Sequence, residues 1–240
     1  MINESLFLFE EITDIIPVGK MNMYDIQIKD DESFILSNGI VSHNSASGQI
    51  SSVRDPEIHG ALPLTGKILN VRGESIKDIV ANKIISDIVA AIGLTIGQPV
   101  KRENLRYGKV YLAADQDPDG ANITALLINF FHSQWPELFC KDKEPFFYSF
   151  QTPFLIQEKG KTRHYWYAHN YHEYKPEDWK NCPKVTRAKG LGSLEEIDWI
   201  NTLKNPVLIP IVDDGNMNEA LELIFNHTKS DDRKVWISLN

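Results

Sequence analysis

Residues 108–139, GKVYLAADQDPDGANITALLINFFHSQWPELF, constrain the fold more than any other stretch. The run GKVYLAAD (108–115) has the length and content of a short buried strand. Residues 120–139 place Ile123, Leu126, Leu127, Phe130 and Phe131 on one helical face, with Pro136 limiting the helix. Upstream, residues 76–93 bring Ile76, Ile79, Val80, Ile84, Ile88, Ala91 and Ile92 near a 3.6-residue period. They predict one helix, with Gly93 suited to its C-terminal end. Helix, strand, loop and helix together argue for an α/β layer with a parallel sheet.

Other segments fill in the plan. Residues 21–41 alternate like paired strands: MYDIQIKD puts Tyr24, Ile26 and Ile28 on one face, and SFILSNGIVSHN carries Asn38-Gly39 as a turn signal. The aromatic and β-branched stretch 145–174 reads as strands. Two further helices are expected at 193–205, where Ser193 and Glu196 form a capping-box pattern, and at 216–227.

The loop between strand and helix holds Asp115, Asp117 and Asp119, three carboxylates within five residues. Such groups repel one another, and a hard cation relieves the repulsion. The C-terminal end of a strand is also where α/β sheets place ligands. D-x-D-x-D-G matches the start of a calcium EF-hand loop, but the twelfth position, which needs a bidentate Glu, is Leu126. The bland alternative is a solvated acidic turn capping a helix, with Asp119 favoured by the helix dipole.

The net charge of −8 is unevenly spread. Residues 1–44 hold 2 Lys/Arg against 8 Asp/Glu, whereas residues 45–112 hold 9 against 6, so the later region can present a basic face to phosphates. The two cysteines, Cys140 and Cys182, make neither a disulfide framework nor a Cys-x-x-Cys metal pair, and a reducing, cytoplasmic setting is expected. No apolar run approaches the ~18 residues that cross a bilayer, and no secretory leader is recognisable, so no membrane partner is expected.

The motifs SASG, HGALPLTGKILNVRGES, LRYGKVYLAADQDPDGANITALLINFFHSQWPELF, FQTPFLIQ and RAKGLGSLEE occur in that order. This set resembles the Toprim region of the ATPase-bearing subunit of type IIA DNA topoisomerases. It is most similar to the split subunits of tailed phages, which share the KGLGSLE variant and a tail like DDRKVWISLN. The resemblance covers residues 45–240. It implies Asp115 and Asp117 as Mg²⁺ ligands with Asp119 in support, and Lys67, Arg187 and Lys189 near DNA or nucleotide phosphates. Mg²⁺ keeps several waters and needs only one or two protein carboxylates beside phosphate oxygens, so the residue types suit it. Taken singly, Lys67 or Lys189 reads as a solvated surface lysine.

Two parts of the family pattern are missing. Its first acidic residue lies in Glu-Gly-Asp immediately before a Ser-Ala like Ser45-Ala46, and here that place holds Ser42-His43-Asn44. An ATP-binding domain is also lacking, so ATP would bind a domain outside this chain. None of the eight tyrosines matches the context of the family's DNA-attacking tyrosine, which is expected on a separate DNA-cleaving subunit.

Residues 13–44 resemble the C-terminal part of an intein, through MYDIQI, FILSNGIVSHN and the serine that follows. The chain's first Met lies too close upstream for a whole intein, which implies the C-terminal half of a split one. The chemistry suits the residues. Asn44 can cyclise on its own peptide carbonyl, His43 can donate to that peptide, and the Ser45 hydroxyl can receive the upstream segment as an ester. The partner chain would carry the N-terminal intein half, the ATPase domain and the Glu-Gly-Asp motif. Many inteins have a His where this chain has Glu32, so auxiliary acid–base help would come from elsewhere, with Asp25 a candidate. Without the resemblance, Asn-Gly is a hairpin turn and His-Asn-Ser a polar loop.

The expected architecture is therefore α/β: a split-intein β segment at 1–44, a Toprim-like parallel sheet flanked by helices at 45–160, and an α+β tail at 161–240. The expected function is a fragment of an ATP-dependent type II topoisomerase that works on double-stranded DNA and is inactive alone. The alternatives are a non-catalytic DNA-binding and assembly module, or another Toprim enzyme such as a nuclease.

Overall fold

Pro118 opens the longest helix, where its fixed φ and missing N–H cost nothing, and the Asp117 side chain accepts from Gly120 N at 2.7 Å to cap it. The computed structural model describes residues 50–64, 67–160, 162–167, 184–188 and 190–239, and the backbone pairing of two short strands at 33–35 and 41–43. The strands are β1 Ser33–Ile35, β2 Val41–His43, β3 Val110–Ala113, β4 Phe147–Gln151, β5 Leu155–Lys159, β6 Thr162–Trp166, β7 Lys184–Arg187 and β8 Val207–Ile211. The helices are α1 Ile76–Ala81, α2 Lys83–Ile92, α3 Pro118–Gln134, α4 Glu196–Lys204, α5 Met217–Phe225 and α6 Ser230–Leu239. Among the described residues no helix is long and apolar enough to cross a membrane.

β3 and β4 pair in parallel, as the strand–helix–strand order requires, but β8 pairs antiparallel to β4. The parallel sheet expected from sequence is thus a mixed, three-stranded one. β8 comes from the stretch expected to form a separate tail, and it completes the sheet begun by β3. The 160/161 boundary falls within the β5–β6 hairpin. β5 lies at the centre of a second, antiparallel sheet, between β6 and β7.

The first sheet separates two cores. Period-two alternation sends Leu112 and Phe147 to one face, where they meet Phe130, Phe131 and Trp135 from α3 and its C-terminal end, and Ile85 and Ile88 from α2. Phe150 and Leu208 face the other way, into a cluster with Ile156, Ala188, Leu194 and Trp199. Trp135 and Trp199 are fully buried, one in each core.

Two helix expectations are corrected. The single helix at 76–93 is two helices, because Asn82 is extended and its side chain caps α2 by accepting from Ile85 N at 3.1 Å. The break rotates the first segment, so Ile76 and Val80 are exposed, while Ile85, absent from the expected face, is fully buried. Gly93 does end α2, in the left-handed region at φ 88. The helix expected at 193–205 begins at Glu196, and its back-bond runs from Glu195 N to Asp198 rather than within a Ser193–Glu196 box. Ser193 instead closes the 3-10 turn Leu191–Ser193. The helix expected at 120–139 runs from Pro118 to Gln134, with Pro136–Phe139 a separate 3-10 turn beyond it, and α5 matches its expected span closely.

β1 and β2 are antiparallel, with Ser33 opposite His43 and Ile35 opposite Val41. The Asn38-Gly39 turn between them, the strand expected from MYDIQIKD, Asp25, Glu32 and Cys182 lie outside the described residues.

Candidate functional site

The acidic loop leaves the C-terminal end of β3 and enters α3, so its carboxylates cluster where a parallel strand pair meets a helix N-terminus. The loop turns tightly under Gly120: a Cβ there would fall 2.1 Å from the Asp115 carbonyl oxygen. All three carboxylates are exposed, and each has a different partner. Asp115 Oδ1 accepts from Leu191 N at 2.7 Å, Asp117 Oδ1 accepts from Gly120 N at 2.7 Å, and Asp119 Oδ1 pairs with Lys67 Nζ at 2.7 Å. Lys67 holds the Asp119 carboxyl below its ordinary range, chiefly through that hydrogen bond. Both side chains face water, so the pair adds little to stability.

The loop forms one wall of an open cavity of about 580 Å³. Leu112, Ala125 and Ile128 supply apolar lining, and Asp115, Asp117 and Gln151 supply polar atoms. Among the described residues no three acidic, His or Cys side chains form a ready-made metal cage. The donor set still fits a magnesium ion. Asp115 and Asp117 each commit only Oδ1 to a hydrogen bond among the described residues, and Mg²⁺ takes few protein ligands.

The turn that meets Asp115 belongs to the second core. Leu194 is buried there, and α4 is tied to β6 by Arg163, which binds Asp198 Oδ1 and Glu195 Oε2, both at 2.6 Å. Tyr165 OH donates to the same Asp198 oxygen at 3.0 Å. Burial first, and that bond second, push the Tyr165 hydroxyl up to about 12. The bond to Asp198 also drives the Arg163 guanidinium further above its ordinary value.

The other expected site residues are placed as follows. Arg187 is exposed at the end of β7, its guanidinium 4.9 Å over the Phe154 ring. His43 ends β2. Asn44, Ser45 and Lys189 lie outside the described residues. Sequence reasoning missed Arg72, which donates to Asn129 at 2.8 Å and Asn218 at 3.1 Å and pairs with Glu222, tying the 67–72 stretch to α3 and α5. It also missed Gly190 and the Leu191 N–H. The GLGS string was visible, but the carboxylate it meets is far away in sequence.

Residues 39–147 match the family model described as the Toprim domain. That stretch begins at Gly39, within the segment expected to be the split-intein half, and ends in β4. The chain is 34% identical over 187 residues to a putative mitochondrial DNA topoisomerase 2 of Caenorhabditis elegans, covering 75% of this chain and 16% of that protein. It is 35% identical over 193 residues to human DNA topoisomerase 2-alpha, covering 75% and 12%. The solved DNA-binding, cleavage and re-ligation domain of Plasmodium falciparum topoisomerase II superposes with a TM-score of 0.66 at 28% identity, covering 80% of this chain and 27% of that one. This chain carries a Toprim domain homologous to that of type II DNA topoisomerases. It spans less than a fifth of the length of these two curated relatives. The acidic loop and Lys67 lie within residues 39–147, and the 190–193 turn joins them from beyond that stretch.

Proposed function

We propose that this chain supplies the magnesium-binding Toprim cluster of an ATP-dependent type II DNA topoisomerase. The observation that carries the reading is the meeting of the acidic loop, Lys67 and the 190–193 turn at the end of β3, in a fold like that of a topoisomerase cleavage domain. Asp115 and Asp117 would hold Mg²⁺, with Asp119 in support. When bound, that ion would supply positive charge to a DNA phosphate as one oxygen replaces another. The chain's own residues bind and orient. Lys67 offers a compact charge that can move from Asp119 to a phosphate, and Arg187 and Lys189, which precede the turn in sequence, would add positive charge. ATP would bind a domain on another chain. The attacking tyrosine would come from a DNA-cleaving subunit, and the remaining acidic residue from a Glu-Gly-Asp on an upstream chain of tailed-phage type.

Residues 1–44 we read as the C-terminal half of a split intein, working in the cytoplasm of the host cell. The antiparallel pairing of β1 with β2, with His43 at the end of β2, suits that reading. Mixing the chain with its upstream partner should give a ligated product that lacks residues 1–44, detectable by mass spectrometry. No ligated product would overturn the splicing role.

Asp115→Ala with Asp117→Ala tests the catalytic role. In the reconstituted enzyme, DNA cleavage should fall on the order of 100-fold or more while subunit assembly, measured by sizing, survives. A second reading, a non-catalytic DNA-binding and assembly module, draws on the fact that each of the three carboxylates already has a protein partner. Unchanged cleavage in the double variant would favour it. Single-strand or double-strand nicking without religation would favour a nuclease.

A further inference from the structure

Gly190 has an extended backbone, φ −177 and ψ 176, which any residue adopts. Its missing side chain therefore has a cause other than torsion, and the cause is a contact. A Cβ at position 190 would lie 3.0 Å from Cγ, Oδ1 and Oδ2 of Asp115 together. One residue later, Leu191 N donates to Asp115 Oδ1 at 2.7 Å. The main chain of Asp115 is also tightly packed, since Gly120 lies against it. Asp115 is thus closely packed by two glycines, Gly120 at its main chain and Gly190 at its carboxylate.

We infer that Gly190 and the Leu191 N–H are positioning groups for Asp115, fixing one carboxylate oxygen so that the other is aimed as a cation ligand. This inference rests on the reading of Asp115 as a metal ligand. The turn that does the positioning is itself rigid. Ser193 Oγ donates to Gly190 O at 2.6 Å, and Leu194 anchors the turn in the second core. Asp198 holds the following helix to Arg163 and Tyr165. A ligand on the first core is therefore oriented by the second, and a group that orients a ligand tunes the affinity for its metal.

The test uses the full chain and Mn²⁺ as a spectroscopic probe of the divalent site. Gly190→Ala should weaken Mn²⁺ binding about tenfold, while thermal melting remains cooperative. Gly108→Ala, where an added Cβ meets nothing within 4 Å, should leave binding unchanged. In metal-free protein, the Leu191 amide should exchange its hydrogen about tenfold faster in Gly190→Ala and in Asp115→Ala than in the wild type. Wild-type affinity and exchange in Gly190→Ala would overturn the inference. If Gly190→Ala does not fold, Asp115→Ala decides: unchanged Leu191 exchange there also overturns it. Equal Mn²⁺ binding by the wild type and Asp115→Asn would instead remove the cation reading beneath it, a result distinct from loss of the latch.

Discussion

Asp198 is 1% exposed and accepts from Arg163, Tyr165 and the Glu195 N–H, whereas Asp115 is exposed at a cavity mouth and takes one backbone donor. Both residues belong to clusters of opposite and like charge, although the sequence drew attention only to Asp115. Their surroundings separate them. The Asp198 oxygens are saturated by protein, so the cluster can only hold α4 against β6. The Asp115 carboxylate retains capacity for a further partner, so its cluster can do chemistry. Saturation of hydrogen-bonding capacity, more than charge, distinguishes scaffold from site here.

The comparison breaks first, and hardest, at Asp198. Asp198→Ala removes the buried acceptor shared by Arg163, Tyr165 and the Glu195 N–H, leaving Arg163 with Glu195 and Glu158, and should cost about 3 kcal/mol in denaturant unfolding, while Asp115→Ala should cost under about 1 kcal/mol. Reversed magnitudes would end the distinction. Arg72→Ala comes next. It removes three side-chain partners at once and leaves the fully buried Asn129 short of a donor, for about 2 kcal/mol. Asp117→Ala removes the α3 cap and should cost about 1 kcal/mol, while DNA cleavage in the reconstituted enzyme falls far more than that loss explains.

Tyr165 sharpens the contrast through pH. Its folded-state pKa is raised from 10.0 to about 12, so its contribution is complete below pH 10 and is lost as pH rises through about 12. Tyr165→Phe should flatten that alkaline loss, measured by denaturation at several pH values. In acid the sign is opposite. Backbone N–H groups of Gly215 and Met217 hold Asp213 low, and Asn226 and Arg72 hold Glu222 low, so stability should fall as pH drops below about 4. The smallest effect belongs to the exposed Lys67–Asp119 pair. Lys67→Ala should leave stability nearly unchanged, because both partners face water, yet weaken DNA binding with a shallower salt dependence.

Much of the first core was legible because its signals are local. The strand–loop–helix order, the apolar face of α3 and its stop before Pro136 all follow from neighbouring residues. The break at Asn82 was not legible, because an isoleucine-rich period continues through it and only the cap shows that Asn82 ends one helix and starts another. The antiparallel place of β8 was invisible for a different reason: a strand's edge partner is chosen by long-range pairing. The acidic loop could be read as a site, and Lys67 could be named, but not their contact. Gly190 was in plain view, yet its purpose depends on a carboxylate that approaches only in three dimensions.

The return of β8 to the free edge of β4 sets an order of assembly. β3 and β4 can find each other early during synthesis, but one edge of β4 stays bare until residues 207–211 emerge. Contacts that span so much sequence form slowly, and an unpaired edge can capture foreign strands meanwhile. A nascent chain stalled before that point would hold a loop with all its aspartates and no finished sheet beneath them, a species suited to chaperone binding rather than to work on a nucleic acid.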